Sequence, residues 1–301
     1  MSAEQEASHK ANANTNKPLA PGLYLVATPI GNLEDITLRA LRVLRSVDRI
    51  ACEDTRQTQK LLNHFEIKTP TVSYHMHNEG SRTGELIAEL KSGAKIAVVS
   101  DAGTPGIADP GGQIAAAAIA AGIDVFPVPG ANAAICALIA SGLSAEQFTF
   151  HGFLPAKAGQ RKTALEALDR SGATYIFYEA PHRILETLTD IEAVFGAAQH
   201  VVIARELTKL HEEFLRGSVQ ELHSLLSSRA SVRGEIVLLF APSWNEDSSE
   251  KRTTSLSVEV AALVKSEGIG EMDALKRIAR ERGIGKSEAY RELQREQRRL
   301  R

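Results

Sequence analysis

Short runs of β-branched and apolar residues alternate with helix-forming segments along most of this chain. The first half holds five such runs and the second half four, and helical patterns fill the gaps between them. This alternation is typical of strands and helices wound into α/β sheets. The runs lie at residues 23–29, 49–54, 71–77, 95–101, 123–130, 148–155, 174–181, 200–208 and 233–242. The sequence therefore predicts an α/β protein with two successive sheets.

Length and composition suggest how these elements are grouped. A chain of 301 residues with 43% hydrophobic and 24% charged residues can form about two globular domains. We expect a flexible leader, an N-terminal α/β domain, a second α/β domain, a linker rich in Ser and Thr, and a helical module. Their predicted bounds are residues 1–20, 21–145, 146–242, 243–256 and 257–301.

Two features of the sequence bear on the cellular compartment. Residues 1–20 have no apolar core and so do not form a signal peptide, while prolines interrupt the uncharged run at residues 125–145. Cys52 and Cys136 lie far apart, with no metal-ligand or CxxC spacing. We therefore expect a cytoplasmic protein with reduced thiols and no membrane contact.

The segments that follow the five early runs are rich in small and acidic residues. They read TPIGN, EDTR, HMHN, SDAGTPGI and PGANA. In parallel sheets, ligands bind beyond the carboxyl ends of the strands, where glycine and alanine let the main chain approach a ligand closely. Gly and Pro also simply turn loops, but five such loops at one sheet edge favour a bound cofactor.

Several familiar chemistries are excluded by spacing. There is no G-x-G-x-x-G after the first run, and residues 285–287 (GKS) lack the upstream glycine of a P-loop. His211 begins like a zinc-protease motif, but Leu215 stands where the second histidine belongs. His75 and His77 would share one strand face, yet no third ligand accompanies them. No metal site is predicted.

Six segments in order carry a resemblance to a known family. TPIGNLEDIT, CEDTRQT, SDAGTPGIADPG, VPGANAA, FYEAPHR and ARELTK together resemble the tetrapyrrole methylase superfamily, and most closely its ribosomal RNA small subunit methyltransferase I branch. The resemblance implies a parallel-sheet domain followed by a mixed-sheet domain, usually in a homodimer. It also implies S-adenosylmethionine (SAM) bound in the cleft and 2′-O-methylation of a cytidine in the decoding region of 16S rRNA.

The family's cofactor contacts can be transferred position by position. They match residues with little side chain, which would bind through main-chain groups, and a few larger apolar ones. We add Asp101, the acid that ends the fourth run. The predicted cofactor residues are then Ile30, Asp101, Ala102, Gly103, Thr104, Ile107, Asn132, Ala133, Tyr178 and Leu207.

Methyl transfer also needs a base for the hydroxyl proton. The superfamily's carboxylate at the end of the second strand matches Glu53, so we predict Glu53 or Asp54 as the base. Arg56 would hold a phosphate or orient these carboxylates. Glu179 and His182, after a strand of the second domain, are further candidates. Helix capping is the competing interpretation of Asp54, and a helix start that of His182.

Charge is concentrated at the C-terminal end. Residues 251–301 contain 13 Lys and Arg against 8 Asp and Glu, whereas the rest of the chain contains 22 against 29, so the net charge of −2 is a cancellation. Apolar spacing in EMDALKRIARER predicts a helix with one packed face, and a turn at residues 283–285 would join it to a last helix. The pair resembles a helix-turn-helix module that would contact rRNA phosphates; a helical tail with ion pairs is the alternative.

Two other functions stay open on sequence grounds. One is a methyltransferase for a tetrapyrrole or another small molecule, in which the basic helices would have no purpose. The other is a non-catalytic RNA-binding assembly factor. The intact loops that carry Glu53, Asp54 and Asp101 argue against this function. Because ribose-specific enzymes reach flexible, unstacked nucleotides, we expect the assembled small subunit to be the substrate.

Overall fold

The computed structural model describes residues 18–169, 172–242, 256–281, 289–290 and 293. The chain forms two units, Met1–Pro242 and Ser243–Arg301. Most of the predicted leader and nearly all of the predicted linker lie outside the described residues. The larger unit contains both sheets and is described first.

The first sheet is parallel throughout, as predicted. Its strands, in spatial order β3-β2-β4-β1-β5, are β1 (Gly22–Val26), β2 (Arg49–Cys52), β3 (Thr71–Ser73), β4 (Lys95–Val99) and β5 (Val125–Val128). Each strand ends before its predicted end, and in all but β3 the residues that leave the ladder include Gly, Pro or acidic residues.

The third strand ends early for a different reason. The prediction that His75 and His77 share a strand face was wrong, since β3 ends at Ser73. Asn78 explains the early end: its amide oxygen accepts from the His75 N–H (2.8 Å) and its amide nitrogen donates to the Ser73 carbonyl (3.2 Å). This side-chain bridge closes a turn in place of further strand pairing.

Helices cover both faces of this sheet. A 3₁₀ turn (Leu33–Asp35) precedes α1 (Leu38–Ser46), and α2 (Thr55–His64), α3 (Glu79–Lys91) and α4 (Gly112–Ala120) follow. The apolar residues of α1 and α2 form one buried cluster with the sheet, and those of α3 and α4 form another. The layered arrangement follows, because a parallel sheet must bury both faces.

The second sheet is mixed. Its spatial order is β6-β7-β10-β8-β9, with β6 and β7 parallel and all other pairs antiparallel. The strands are β6 (Phe148–Phe153), β7 (Thr174–Glu179), β8 (His200–Arg205), β9 (Glu213–Ser218) and β10 (Ile236–Phe240). The sequence analysis missed β9, because a short edge strand reading EFLRGS has no clear apolar alternation.

Four helices accompany the second sheet. They are α5 (Ala133–Ser141), α6 (Ala158–Glu166), α7 (Ile184–Phe195) and α8 (Val219–Ser227). The Ala-rich α5 packs on the second sheet, forming a cluster of Ala134, Ala137, Leu138, Ile176, Val202, Val237 and Leu239. The boundary predicted at residue 145 therefore falls between a helix and the sheet that it covers.

The described part of the C-terminal unit includes two helices, α9 (Leu256–Glu267) and α10 (Glu271–Glu281). Leu275, Ile278 and Ala279 of α10 are buried, as the apolar spacing predicts. The same helical spacing predicts that Met272 belongs to the packed face, but it is 45% exposed, so that prediction was wrong; it lies in the first turn, before the packed face begins. The predicted turn at 283–285 and most of the last predicted helix lie outside the described residues. No described helix is both long and apolar enough to cross a membrane.

Candidate active site

The loops at the carboxyl edge of the first sheet are joined to one another. After β1 and β4, the Thr28 N–H donates to the Gly103 carbonyl (2.8 Å) and the Gly103 N–H to the Thr28 carbonyl (3.1 Å). After β2, the Asp54 N–H donates to Oδ1 of Asp101 (3.1 Å). These bonds fix the loops as one surface, although their residues are distant in sequence.

The loop after β5 belongs to the same network. The Thr104 hydroxyl donates to the Ala131 carbonyl (3.1 Å) and accepts from the amide nitrogen of Asn132 (3.3 Å). The Asn132 amide oxygen accepts from the Ile135 N–H (3.1 Å) and so caps α5. Asn132 thus connects the edge of the first sheet to a helix of the second.

A cavity of about 470 Å³ lies between this edge and the second sheet. Its size is typical of a site for a cofactor-sized molecule. All ten predicted cofactor residues line it, together with Glu53 and Glu179 from the predicted catalytic set. The further lining residues are Ala108, Asp109, Phe153, Ala180, Pro181, Ala204, Glu235, Ile236 and Val237.

The charged residues that line the cavity are all acidic. Within the described chain they are Glu53, Asp101, Asp109, Glu179 and Glu235, with no lysine or arginine among them. Burial, reinforced by the Glu53 charge, raises the pKa of Asp109 to about 6. Burial and the Asp101 charge also raise the pKa of Glu53. The cavity therefore favours cations and proton donors and disfavours phosphates.

Asp54, Arg56 and His182 lie outside the cavity lining. The Asp54 carboxylate caps α2 by accepting from the Arg56 N–H (2.8 Å), and it pairs with the Arg56 guanidinium (2.9 Å), which lowers its pKa. The first interaction is the helix cap considered for Asp54, and the second orients its carboxylate, one of the two roles considered for Arg56. Arg56 also lines a second, open hollow, together with Thr55, Gln59, Lys60, Asn63 and Thr71. His182 is exposed.

Glu179 lines the cavity, but its carboxylate is already engaged. Oε1 accepts from Arg183 Nη2 (2.6 Å) and Nε (2.9 Å) and from the Ala180 N–H (2.7 Å), while Oε2 accepts from the Thr187 hydroxyl (2.6 Å). Its side chain is fully buried. This geometry holds the start of α7 against the end of β7.

The sequence analysis missed three notable lining residues, Asp109, Phe153 and Glu235. Asp109 lies in the segment SDAGTPGIADPG, well after the end of β4, so no strand-end pattern indicates its carboxyl group. It follows Ala108, which adopts a left-handed conformation (φ 62°) and redirects the chain. Phe153 comes after a glycine inside a strand pattern, which is a recognised signal of a bulge.

Fold and cavity together define a class: a two-sheet α/β protein whose cofactor-sized site opens at the carboxyl edge of a parallel sheet. Residues 22–223 match the family model described as Tetrapyrrole (Corrin/Porphyrin) Methylases. Among solved structures, the fold resembles uroporphyrin-III-C-methyltransferase from Thermus thermophilus, with a TM-score of 0.53, 22% identity, and 73% of this chain and 94% of that chain covered. It also resembles a diphthine synthase, with a TM-score of 0.54, 15% identity, and 76% and 93% covered.

Sequence relatives narrow the class. The chain is 48% identical over 259 residues to ribosomal RNA small subunit methyltransferase I of a Synechocystis species, covering 86% of this chain and 92% of the relative. It is 47% identical over 263 residues to the protein of the same name in Bacillus subtilis, covering 86% and 89%. This chain belongs to the tetrapyrrole methylase family and, within it, to the ribosomal RNA small subunit methyltransferase I branch.

Proposed function

We propose that this protein transfers a methyl group from SAM to the 2′-hydroxyl of a cytidine in the decoding region of 16S rRNA, acting on the assembled small subunit. The observation that carries the proposal is the gathering of all ten predicted cofactor residues around one acid-lined cavity. The names of the sequence relatives supply the RNA class. The nucleotide and the 2′-oxygen rest on the family resemblance.

The residues of the cavity suit SAM. When bound, SAM supplies a methyl group on a cationic sulfur. Ile30 and Leu207, only 7% and 8% exposed, form an apolar wall suited to the adenosyl group. Carboxylates at Glu53, Asp101 and Asp109 favour positively charged groups of the donor. These carboxylates bind the demethylated product less favourably, because its sulfur no longer carries a positive charge.

Asp109 and Glu53 are the carboxyl groups that we propose for proton removal. A pKa of about 6 leaves Asp109 mostly ionised at neutral pH yet still basic enough to accept a proton. Glu53, whose pKa is raised in the same cavity, is the alternative acceptor, since its charge is coupled to that of Asp109. Most of the acceleration comes from holding the ribose oxygen in line with the donor sulfur.

The RNA backbone must stay outside an acid-lined cavity. The hollow beside α2 offers Arg56 and Lys60 to phosphates just beyond Glu53. Exposed Lys276 and Arg277 on α10 extend the proposed RNA contacts to the C-terminal unit. We also carry the homodimer and the cytoplasmic location forward as proposals; the exposed side chains of Ile135 and Ile139 on α5 supply apolar surface for a second copy.

The experiment is methyl transfer from labelled SAM to purified 30S subunits, with mapping of 2′-O-methylation by resistance to alkaline cleavage. We expect one protected cytidine in the decoding region. Glu53→Gln and Asp109→Asn should each lower transfer about 10²- to 10⁴-fold, the usual size of a base effect, while SAM still binds. Transfer to a porphyrinogen instead of subunits, or SAM binding without transfer to either, would refute the proposal.

A further inference from the structure

The edge strand β6 contains a bulge that is directed at the cavity. Phe150 pairs with Ile176 of β7, but the next paired residue, Phe153, faces Tyr178, so three steps on β6 match two on β7. Gly152 adopts a left-handed conformation at this point (φ 64°). An inserted residue of this kind changes which face the following side chains point to.

Ring contacts show the change of face. His151 stacks on Phe177 (5.2 Å between ring centroids), on the face whose core is formed by α6, α7 and α8. In a regular strand Phe153 would lie on that same face. Instead, Phe150 and Phe153 both contact the ring of Tyr178, at 4.9 Å and 5.7 Å, on the cavity face.

The bulge leaves a large apolar ring in an unusual position. Phe153 lines the cavity and is 59% exposed, whereas a regular strand would have placed it on the same face as His151. The following residue, Leu154, occupies the core position and is 5% exposed. The T-shaped contact with Tyr178 (66° between the ring planes) supports Phe153 from one side and leaves the rest of its ring open.

We propose that Phe153 is a stacking platform for the base of the nucleotide that is methylated, so that it positions the ribose rather than the methyl donor. This inference rests on the proposed function. Aromatic rings are the usual surface on which proteins hold unstacked bases, and stacking needs no particular base. The acid lining disfavours phosphates in the cavity, so an uncharged base and its sugar are the parts of an RNA that suit it.

Exposure argues for the substrate rather than the cofactor at this ring. A cofactor in a cleft is normally covered over most of its surface, as the buried Ile30 and Leu207 would ensure. A group seated on Phe153 stays reachable from solvent, which suits a nucleotide still attached to a polymer. Asp109 and Glu53 line the same cavity and can receive the ribose proton.

The first test compares Phe153→Ala with Phe148→Ala in methyl transfer to 30S subunits. Phe148 is the matched control, because it lies on the same strand, is 43% exposed and does not line the cavity. We expect Phe153→Ala to lower kcat/KM about 5- to 150-fold, the equivalent of one lost base stack. The dissociation constant for SAM, measured by calorimetry, should stay within about twofold. Phe153→Tyr should restore most of the activity, and Phe148→Ala should retain it.

A second readout does not depend on catalysis. The natural chain has a single tryptophan, Trp244. A Phe153→Trp, Trp244→Phe double variant therefore has its only tryptophan at the position of the proposed platform. Its fluorescence should be quenched saturably by a short single-stranded cytidine oligonucleotide in the presence of S-adenosylhomocysteine.

The outcomes separate the inference from the proposed function. Equal loss of SAM affinity in Phe153→Ala would assign the ring to the cofactor and overturn the inference, as would unchanged kcat/KM or an unquenched tryptophan. If the natural protein fails to methylate 30S subunits while the tryptophan is still quenched, the proposed reaction falls and the platform stands.

Discussion

The buried contacts of Glu179 lead to a prediction about stability rather than chemistry. Glu179→Gln keeps oxygen and nitrogen near the same places but removes the charge that opposes the Arg183 guanidinium, which is only 17% exposed. Leaving one partner of a buried ion pair uncompensated costs about 3–5 kcal/mol. Because Arg183 also donates to the Leu154 carbonyl (3.0 Å) and glutamine still accepts from the Ala180 N–H, we expect about 3 kcal/mol.

Thermal unfolding followed by circular dichroism measures this loss. At about 2–4 °C per kcal/mol for a unit of this size, Tm should fall by about 6–12 °C. Thr187→Val removes one hydrogen bond to a charged group and should cost about 1.5–3 kcal/mol. Glu166→Gln is the control, because this exposed acid at the end of α6 should change the free energy of unfolding by less than about 0.5 kcal/mol.

Activity at low temperature completes the test. At 15 °C, where the Glu179→Gln protein remains folded, methyl transfer should stay within about tenfold of the natural rate, far above the loss of a general base. A variant with unchanged Tm and no transfer would refute this reasoning and return Glu179 to the list of catalytic candidates.

Three further predictions concern pH and salt. The rate of methyl transfer should rise with pH through about 6, because Asp109 must be ionised to accept the proton. Asp109→Asn should flatten this pH profile. The same variant should raise Tm at pH 8, because the natural protein buries a charged carboxylate there. Arg229 and then Arg205 lower the pKa of Glu213 to about 2, so its stabilisation is present above about pH 4.5 and lost as pH falls through 2; Glu213→Gln should remove that part of the pH dependence of unfolding. A chain truncated after Ser249 should bind 30S subunits more weakly and with a shallower salt dependence; unchanged affinity and slope would exclude RNA contacts by the C-terminal helices.

Much of the cavity lining could be anticipated from local sequence. Eight of the ten residues predicted to bind the cofactor follow strands of the parallel sheet, and the ends of parallel strands meet at one sheet edge whatever the intervening sequence. Roles were harder to predict than positions. Glu179 ends β7 and Glu53 directly follows β2, and both line the cavity. Only the fold shows that Arg183 and Thr187 already bind the Glu179 carboxylate.

The sequence by itself determined the α/β class, the parallel first sheet and the set of loops that form the cavity, because these depend on the order of apolar runs and turn residues. Only the tertiary structure decided that α5 covers the second sheet, that the charge of Glu53 acts on the buried carboxyl group of Asp109, and that a bulge turns Phe153 toward the cavity. The physical reason is the same in each case. Burial, charge coupling and strand register arise between groups far apart in the chain, so no local pattern encodes them.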